Sequence, residues 1–275
     1  MSEWEPLLTR IADALERIAP RVATSDDWLT HPAYVWDRQG ARAVTRIEAP
    51  DPALLCGIDA QKAAVIVNVG RLARGFAAHD MLLWGSRGMG KSALLRSAVV
   101  AAQTKGAARL ALVQVAPDAL DRLAALFTEL RPVKRQFLVY IDDLGFEDGD
   151  SSGPRALRSW LEGGVEARPG NVRIAVTSNR RAIVARRLSE QDDPINPRDA
   201  VDDRLALADR FGLSIGFHNC SQDDYLAIID GYAGNYGFAW DQAEALEWSK
   251  RRGARSGRVA WQFITELAGR KGVSI

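Results

Sequence analysis

Apolar residues in the first twenty positions recur at helical spacing: Trp4, Leu7, Leu8, Ile11, Leu15 and Ile18 share a face, and Pro20 ends the run. Residues 33–36 and 41–47 read as two short strands joined across Asp37-Arg38-Gln39-Gly40, after which Pro50 and Pro52 break the chain. From about residue 53 the pattern changes. Five short runs are apolar on both faces, at 81–84, 110–115, 137–141, 173–177 and 213–217. Such runs fit parallel strands covered by helices on each side. Helical periodicity fills the intervals, most plainly in the stripe Leu120, Leu123, Leu126, Phe127 and Leu130.

After Phe217 only helix signals remain. Ser221 with Asp224 reads as a capping box, and Asp241 opens another helix that Gly253 ends. The expectation is an α/β three-layer sandwich with a five-stranded parallel sheet over residues 53–219. A small helical lid follows over 220–275, and a short N-terminal accessory element, a helix and a hairpin, precedes it over 1–52. Trp240, Trp248 and Trp261 have core spacing in the lid helices, while Trp4, Trp28 and Trp36 join the N-terminal element to the sheet or to a neighbouring subunit. Residues 189–203, with Pro194, Pro197 and five aspartates, read as an exposed loop.

Composition narrows the classes without choosing among them. The 275 residues are 47% hydrophobic and 26% charged, as in a soluble globular protein. Thirty-six basic against 35 acidic side chains leave a net charge of +1, which argues against wholesale electrostatic capture by nucleic acid. Local basic density exists at Arg180, Arg181, Arg186 and Arg187 and again at Lys250, Arg251, Arg252 and Arg255. A solvated face or a subunit interface is the favoured reading of both, ahead of nucleic acid. Cys56, Cys220 and three scattered histidines fit no zinc spacing and read as the thiols and imidazoles of a reduced, cytoplasmic protein. No run approaches the roughly 20 apolar residues of a membrane span, so no membrane partner is expected.

The chemistry begins at Gly85-Ser86-Arg87-Gly88-Met89-Gly90-Lys91-Ser92, which matches G-x-x-x-x-G-K-[ST] between a strand and a helix. Its glycines let backbone N–H groups turn inward around phosphates; Lys91 reaches the β- and γ-phosphates, and the Ser92 hydroxyl is a ligand for Mg²⁺. A second strand ends in paired acids, Ile141-Asp142-Asp143. Asp142 is the expected metal carboxylate, held through water, and Asp143 the base or water-positioning group for attack on the γ-phosphate. A third strand ends in Thr177-Ser178-Asn179, where Asn179 either senses the γ-phosphate or orders the next turn. Arg210, just before the fifth strand, and Arg258, in the lid, are placed to neutralise charge on the transferred phosphoryl, or are ordinary surface arginines.

Together these residues, in this order over about 53–270, resemble an AAA+ ATPase. Gly57-Ile58-Asp59 resembles the linker that lines the adenine pocket in that family, residues 85–92 are similar to Walker A, and residues 141–143 to Walker B. Asn179 resembles sensor 1, Arg210 the arginine finger and Arg258 sensor 2. The Trp84–Ser92 stretch, Leu161-Glu162-Gly163-Gly164 through Arg168-Pro169, and Thr177-Ser178-Asn179-Arg180-Arg181 resemble an uncharacterised bacterial AAA+ family. The Asp-Asp pair is similar to the replication-initiator and helicase-loader clade, where Asp stands for the usual second Glu. The resemblance implies ATP and Mg²⁺ as cofactors, nucleotide held between subunits of an ATP-dependent homo-oligomeric ring or filament, Arg210 acting on a neighbour's ATP, and lid closure on binding. The client it implies is a protein or a nucleic acid. A slow nucleotide-gated switch and a helicase-loader-like DNA-associated ATPase are the alternatives to a hydrolysing remodelling factor. The acidic residues 146–150 after the second strand fit a polypeptide client or a metal-adjacent loop better than a phosphate-gripping one.

Overall fold

The computed structural model describes residues 27–104, 106, 109–144, 157, 160–161, 167–179 and 209–275. The expected helix at 4–18, the loops at 146–150 and 189–203, and Arg180, Arg181, Arg186 and Arg187 lie outside them.

Seven strands form one sheet: β1 (Ala33–Asp37), β2 (Gly40–Val44), β3 (Met81–Gly85), β4 (Leu110–Val115), β5 (Gln136–Ile141), β6 (Val172–Ser178) and β7 (Leu213–Phe217). Their spatial order is β2-β1-β4-β5-β6-β3-β7. The five strands expected from their apolar runs are all present and mutually parallel. The sheet is larger than the expected five because the β1–β2 hairpin joins it. β1 runs parallel to β4, with Ala33 opposite Leu112 and Trp36 opposite Val115, so this part of the N-terminal element is the sheet's own margin.

Alternation along the strands sends side chains into two cores. On one face Met81, Leu83, Leu138 and Ala175 pack under α1 (Asp59–Ala73) and α2 (Lys91–Thr104). On the other, Leu82, Val113, Val139 and Ile174 pack against α3 (Leu123–Leu130), whose buried Leu123, Leu126, Phe127 and Leu130 are the stripe seen in the sequence. Pro117 begins the approach to α3 as a 3₁₀ turn, which takes Leu120 out of the α-helix proper. Trp28, Tyr34 and Trp36 are fully buried in this second core, with Trp28 edge-on to Phe137 at 5.8 Å. Trp28 and Trp36 thus fasten the hairpin to the sheet.

The lid comprises α4 (Gln222–Tyr236), α5 (Gln242–Arg251) and α6 (Gly257–Arg270). The capping box at Ser221 and Asp224 is formed, Asp241 caps α5 by accepting from Glu244 N, and Ser256 caps α6. The lid shares the first core with α1 and α2, through residues such as Tyr225, Ile229, Phe263 and Ile264. Trp240 sits in the turn before α5, not in a helix, because Asp241 takes the cap position. None of the described helices is long and apolar enough to cross a membrane.

Candidate functional site

Residues 85–92 carry the chain from the end of β3 into α2, and their inner side floors a cleft of about 320 Å³. Two of the loop's glycines are sterically required. At Gly85, φ is 118°, and a Cβ would lie 2.1 Å from the carbonyl oxygen of Phe217. Ser86 N donates to that same oxygen at 2.8 Å, which pins the start of the loop to the end of β7. At Gly88, φ is 75°, and a Cβ would come 2.8 Å from Ser256 Oγ. Arg258 N donates to Gly88 O at 3.1 Å, so the first turn of α6 rests on the loop.

Lys91 is buried, and its amine donates to the carbonyls of Gly85 and Ser86, both at 2.8 Å. Burial draws the amine down to about 8, against the pull of Asp143 and Asp142, which favour its charge. One residue on, Ser92 Oγ donates to Asp142 Oδ1 at 2.8 Å. Thr177 Oγ1 donates to the same carboxylate oxygen at 2.7 Å and accepts from Asp143 N at 2.9 Å. Leu144 N donates to Thr177 O at 2.9 Å, so the chain leaving β5 is laced to the end of β6.

Burial alone would raise the Asp142 carboxyl, but the hydroxyls of Tyr140, Thr177 and Ser92, with the charge of Arg96, hold it below the usual carboxylate range. Asp142 is therefore an anion at neutral pH, within hydrogen-bond reach of a serine hydroxyl at the end of the glycine-rich loop. Two hard oxygens 2.8 Å apart are a donor set suited to Mg²⁺.

Asp143 is the one non-glycine residue among those described with positive φ, at 49°. A residue held in this sparsely populated region marks a place where the surroundings over-determine the backbone. The consequence here is directional: the Asp143 carboxylate turns toward Asn179, whose Nδ2 donates to Oδ1 at 2.5 Å. Away from these groups and from Arg96 and Arg258, the cleft wall is largely apolar, with Leu55 and Ile58 ahead of α1, Ile228 and Tyr232 from α4, and Trp261 from α6. One end of the cleft is thus apolar, and the other gathers the glycine loop, Lys91 and the polar groups around Asp142.

Ile58, Gly88, Met89, Gly90, Lys91, Ser92, Asp142, Asp143, Asn179 and Arg258 line this one cleft. Gly85 is closed against β7, and Ser86 and Arg87 face the far side of the loop. Arg210 is not brought to the cleft. It precedes β7 at the end of the sheet where β3 begins, and β7 alone separates that end from the loop by roughly 13 Å. Ten further lining residues escaped the sequence, and four of them matter most to the cleft's chemistry. Thr177 stood in the quoted Thr177-Ser178-Asn179 with only Asn179 given a role, and Arg96, one helical turn beyond Ser92, was one arginine of many. Tyr232 and Trp261, whose rings meet at 5.1 Å, sit where helical spacing reads as core.

Residues 29–271 match the family described as "Protein of unknown function (DUF815)". No curated protein matches the chain. Among solved structures, a point variant of RuvB from Thermotoga maritima superposes with a TM-score of 0.51 at 17% identity, covering 79% of this chain and 65% of that one. The Aeropyrum pernix ORC1 protein, in complex with DNA, superposes with a TM-score of 0.54 at 14% identity, covering 80% and 65%. The chain spans just under two thirds of the length of each of these neighbours. At such identities the likeness is one of fold, the AAA+ sandwich and lid.

Proposed function

The chain belongs to the DUF815 family, and from that premise we propose that it binds ATP with Mg²⁺ and hydrolyses it, coupling nucleotide state to lid closure and subunit assembly. What carries this reading is the lacing of Ser92, Asp142 and Thr177 at the end of the phosphate loop, with Asp143 and Asn179 beside it.

The adenine ring packs between Leu55, Ile58, Tyr232 and Trp261, and the triphosphate lies along the N–H groups of residues 88–92. Lys91 exchanges its bonds to Gly85 O and Ser86 O for phosphate oxygens, which stabilise its charge in a buried place. Mg²⁺, held by Ser92 and Asp142, would supply charge neutralisation on the β- and γ-phosphates. Asp143, aimed by Asn179, orients a water molecule and takes its proton as the water oxygen attacks the γ-phosphorus. The bond to the β–γ bridging oxygen breaks, and ADP and phosphate are the products. Arg258 brings the lid's charge to the same phosphoryl group. Arg210, remote from its own cleft, acts on the nucleotide of a neighbouring copy in a ring or filament. The client is a macromolecule whose identity the cleft does not encode.

The deciding experiment is ATP turnover per subunit over a wide protein concentration range, for wild type and Arg210→Ala. Specific activity is expected to rise with concentration, and Arg210→Ala to be inactive alone yet to regain turnover when mixed with Lys91→Ala. Activity independent of concentration and of Arg210 would overturn the shared site.

A second reading is favoured by one observation, the Asp143 carboxylate tied to Asn179 at 2.5 Å on a strained backbone. In that reading the protein is a slow switch that holds ATP and recruits a partner. Asp143→Asn traps ATP in the hydrolysing protein and changes little in the switch, so single-turnover kinetics of that variant separate the two.

A further inference from the structure

The nucleotide loop has a second side. Behind it lies a cleft of about 610 Å³ lined by Ser86, Arg87, Asn219, Ser249, Lys250 and Arg255, among others, and it shares no lining residue with the first cleft. Its three charged side chains are all cations, and none of its lining residues is a carboxylate. Neighbouring cations of the lid are already engaged. Arg251 pairs with Glu247 at 2.9 Å, and Arg252 lies over the Trp248 ring at 4.8 Å. The side chains of Arg87, Lys250 and Arg255 make no ion pair or hydrogen bond among the described residues.

Lysine near the end of α5 has an ordinary explanation in the helix dipole. That explanation does not extend to Arg87 on the nucleotide loop or to Arg255 beyond the helix. Three segments of the chain bring exposed like charges to one open cleft, where an anion meets all three at once. Ser86 Oγ gives its proton to Asn219 Oδ1 at 2.5 Å, which leaves the Asn219 amide hydrogens to donate. Two guanidinium forks, an ammonium and an amide are donors only, a set that matches the many acceptor oxygens of phosphate.

The two clefts also share moving parts. Arg87 lines one and Gly88 the other; across the loop, Arg255 lines the second cleft and Arg258 the first. Ser256 sits against Gly88 between them. An occupant of either cleft therefore braces the loop and the α5–α6 turn that the other occupant needs.

We propose that this second cleft binds a phosphate group, and that its occupant and the nucleotide strengthen each other's binding through the shared loop and turn. The linkage rests on the nucleotide reading above; the binding does not. By reciprocity, whatever factor the anion applies to nucleotide affinity the nucleotide applies to the anion.

The test uses the full chain at low salt with two probes, a fluorescently labelled oligothymidylate and inorganic tripolyphosphate. At least one is expected to bind wild type. Lys250→Ala/Arg255→Ala, with its melting temperature unchanged, should weaken that binding by about tenfold or more, and Lys91→Ala should leave it intact. If the double variant loses its melting transition, Lys250→Gln carries the same comparison. Oligothymidylate that tripolyphosphate does not displace assigns the cleft to a nucleic-acid backbone, with a salt slope reduced by about one per cation removed. Displacement at comparable concentration assigns it to a free phosphate compound. Binding of neither probe, binding in Lys91→Ala that survives addition of the two lid substitutions, or binding lost in Lys91→Ala overturns the proposal. Failure of wild type to bind ATP while a probe still binds would sink the nucleotide reading and leave this cleft standing.

Discussion

On the sheet side of the first cleft, Ser92, Asp142, Asp143, Thr177 and Asn179 are tied by hydrogen bonds of 2.5, 2.7, 2.8 and 2.9 Å. The lid side meets the loop through one main-chain bond, Arg258 N to Gly88 O at 3.1 Å, and offers the Arg258 side chain beside apolar surface from Ile228, Tyr232 and Trp261. Hydrogen bonds hold direction, and apolar contact holds shape while tolerating small shifts. The contrast teaches a division of labour in which the sheet fixes the reacting geometry before any ligand arrives and the lid contributes grip.

If that division is real, substitutions on the two sides should fail differently. The largest effect is expected from Lys91→Ala, which removes the only buried cation lining the first cleft: ATP turnover should fall at least about a hundredfold and equilibrium binding should be lost. Normal hydrolysis by this variant would move the site elsewhere. Thr177→Val keeps the volume but deletes the hydroxyl that joins Asp142 to the Asp143 backbone. Turnover at saturating ATP should drop about tenfold with binding changed less than about threefold, read as a kcat effect without a KM effect.

Trp261→Ala, on the lid side, should do the reverse, raising the dissociation constant for ATP about tenfold and leaving kcat nearly untouched. A kcat loss for Trp261→Ala as large as that for Thr177→Val would erase the contrast. The smallest effect concerns Lys91 alone. Its amine sits at about 8 in the folded chain against an ordinary 10.5, so between those values the unfolded chain holds a proton the folded one lacks. The stability this group contributes rises with pH over that window. Melting temperatures followed from about pH 8 to about pH 10 should show the rise in wild type without nucleotide and not in Lys91→Met.

Much of this was legible in the residues because its signals are local. Strands buried on both faces announce themselves as uninterrupted apolar runs, and all five were placed to within a residue or so of their observed limits. The phosphate loop, Asp142, Asp143, Asn179 and Arg258 converge on one cleft because motif order follows strand order. What was hidden depends on pairing across distance. No local feature of residues 33–37 says that they lie beside β4 instead of forming a separate element, and that register alone turns five strands into seven. Thr177 was hidden for a different reason. A threonine at a strand end is ordinary, and its two hydrogen bonds exist only because β5 and β6 are neighbours. Trp261 has core spacing in the sequence, which is the same pattern as a cleft wall, and nothing local sets Tyr232 apart.

The parallel pairing of β1 with β4 also sets a timetable. The hairpin leaves the ribosome well before β4 does, and β4 is the strand on which it must dock. Until then Trp28, Tyr34 and Trp36 have no apolar partner from α3 or β5, so these large aromatic side chains wait in water. Docking of the hairpin is a non-local event in the chain's birth, and in the interval before it a nascent copy is open to chaperones or to association with another nascent copy.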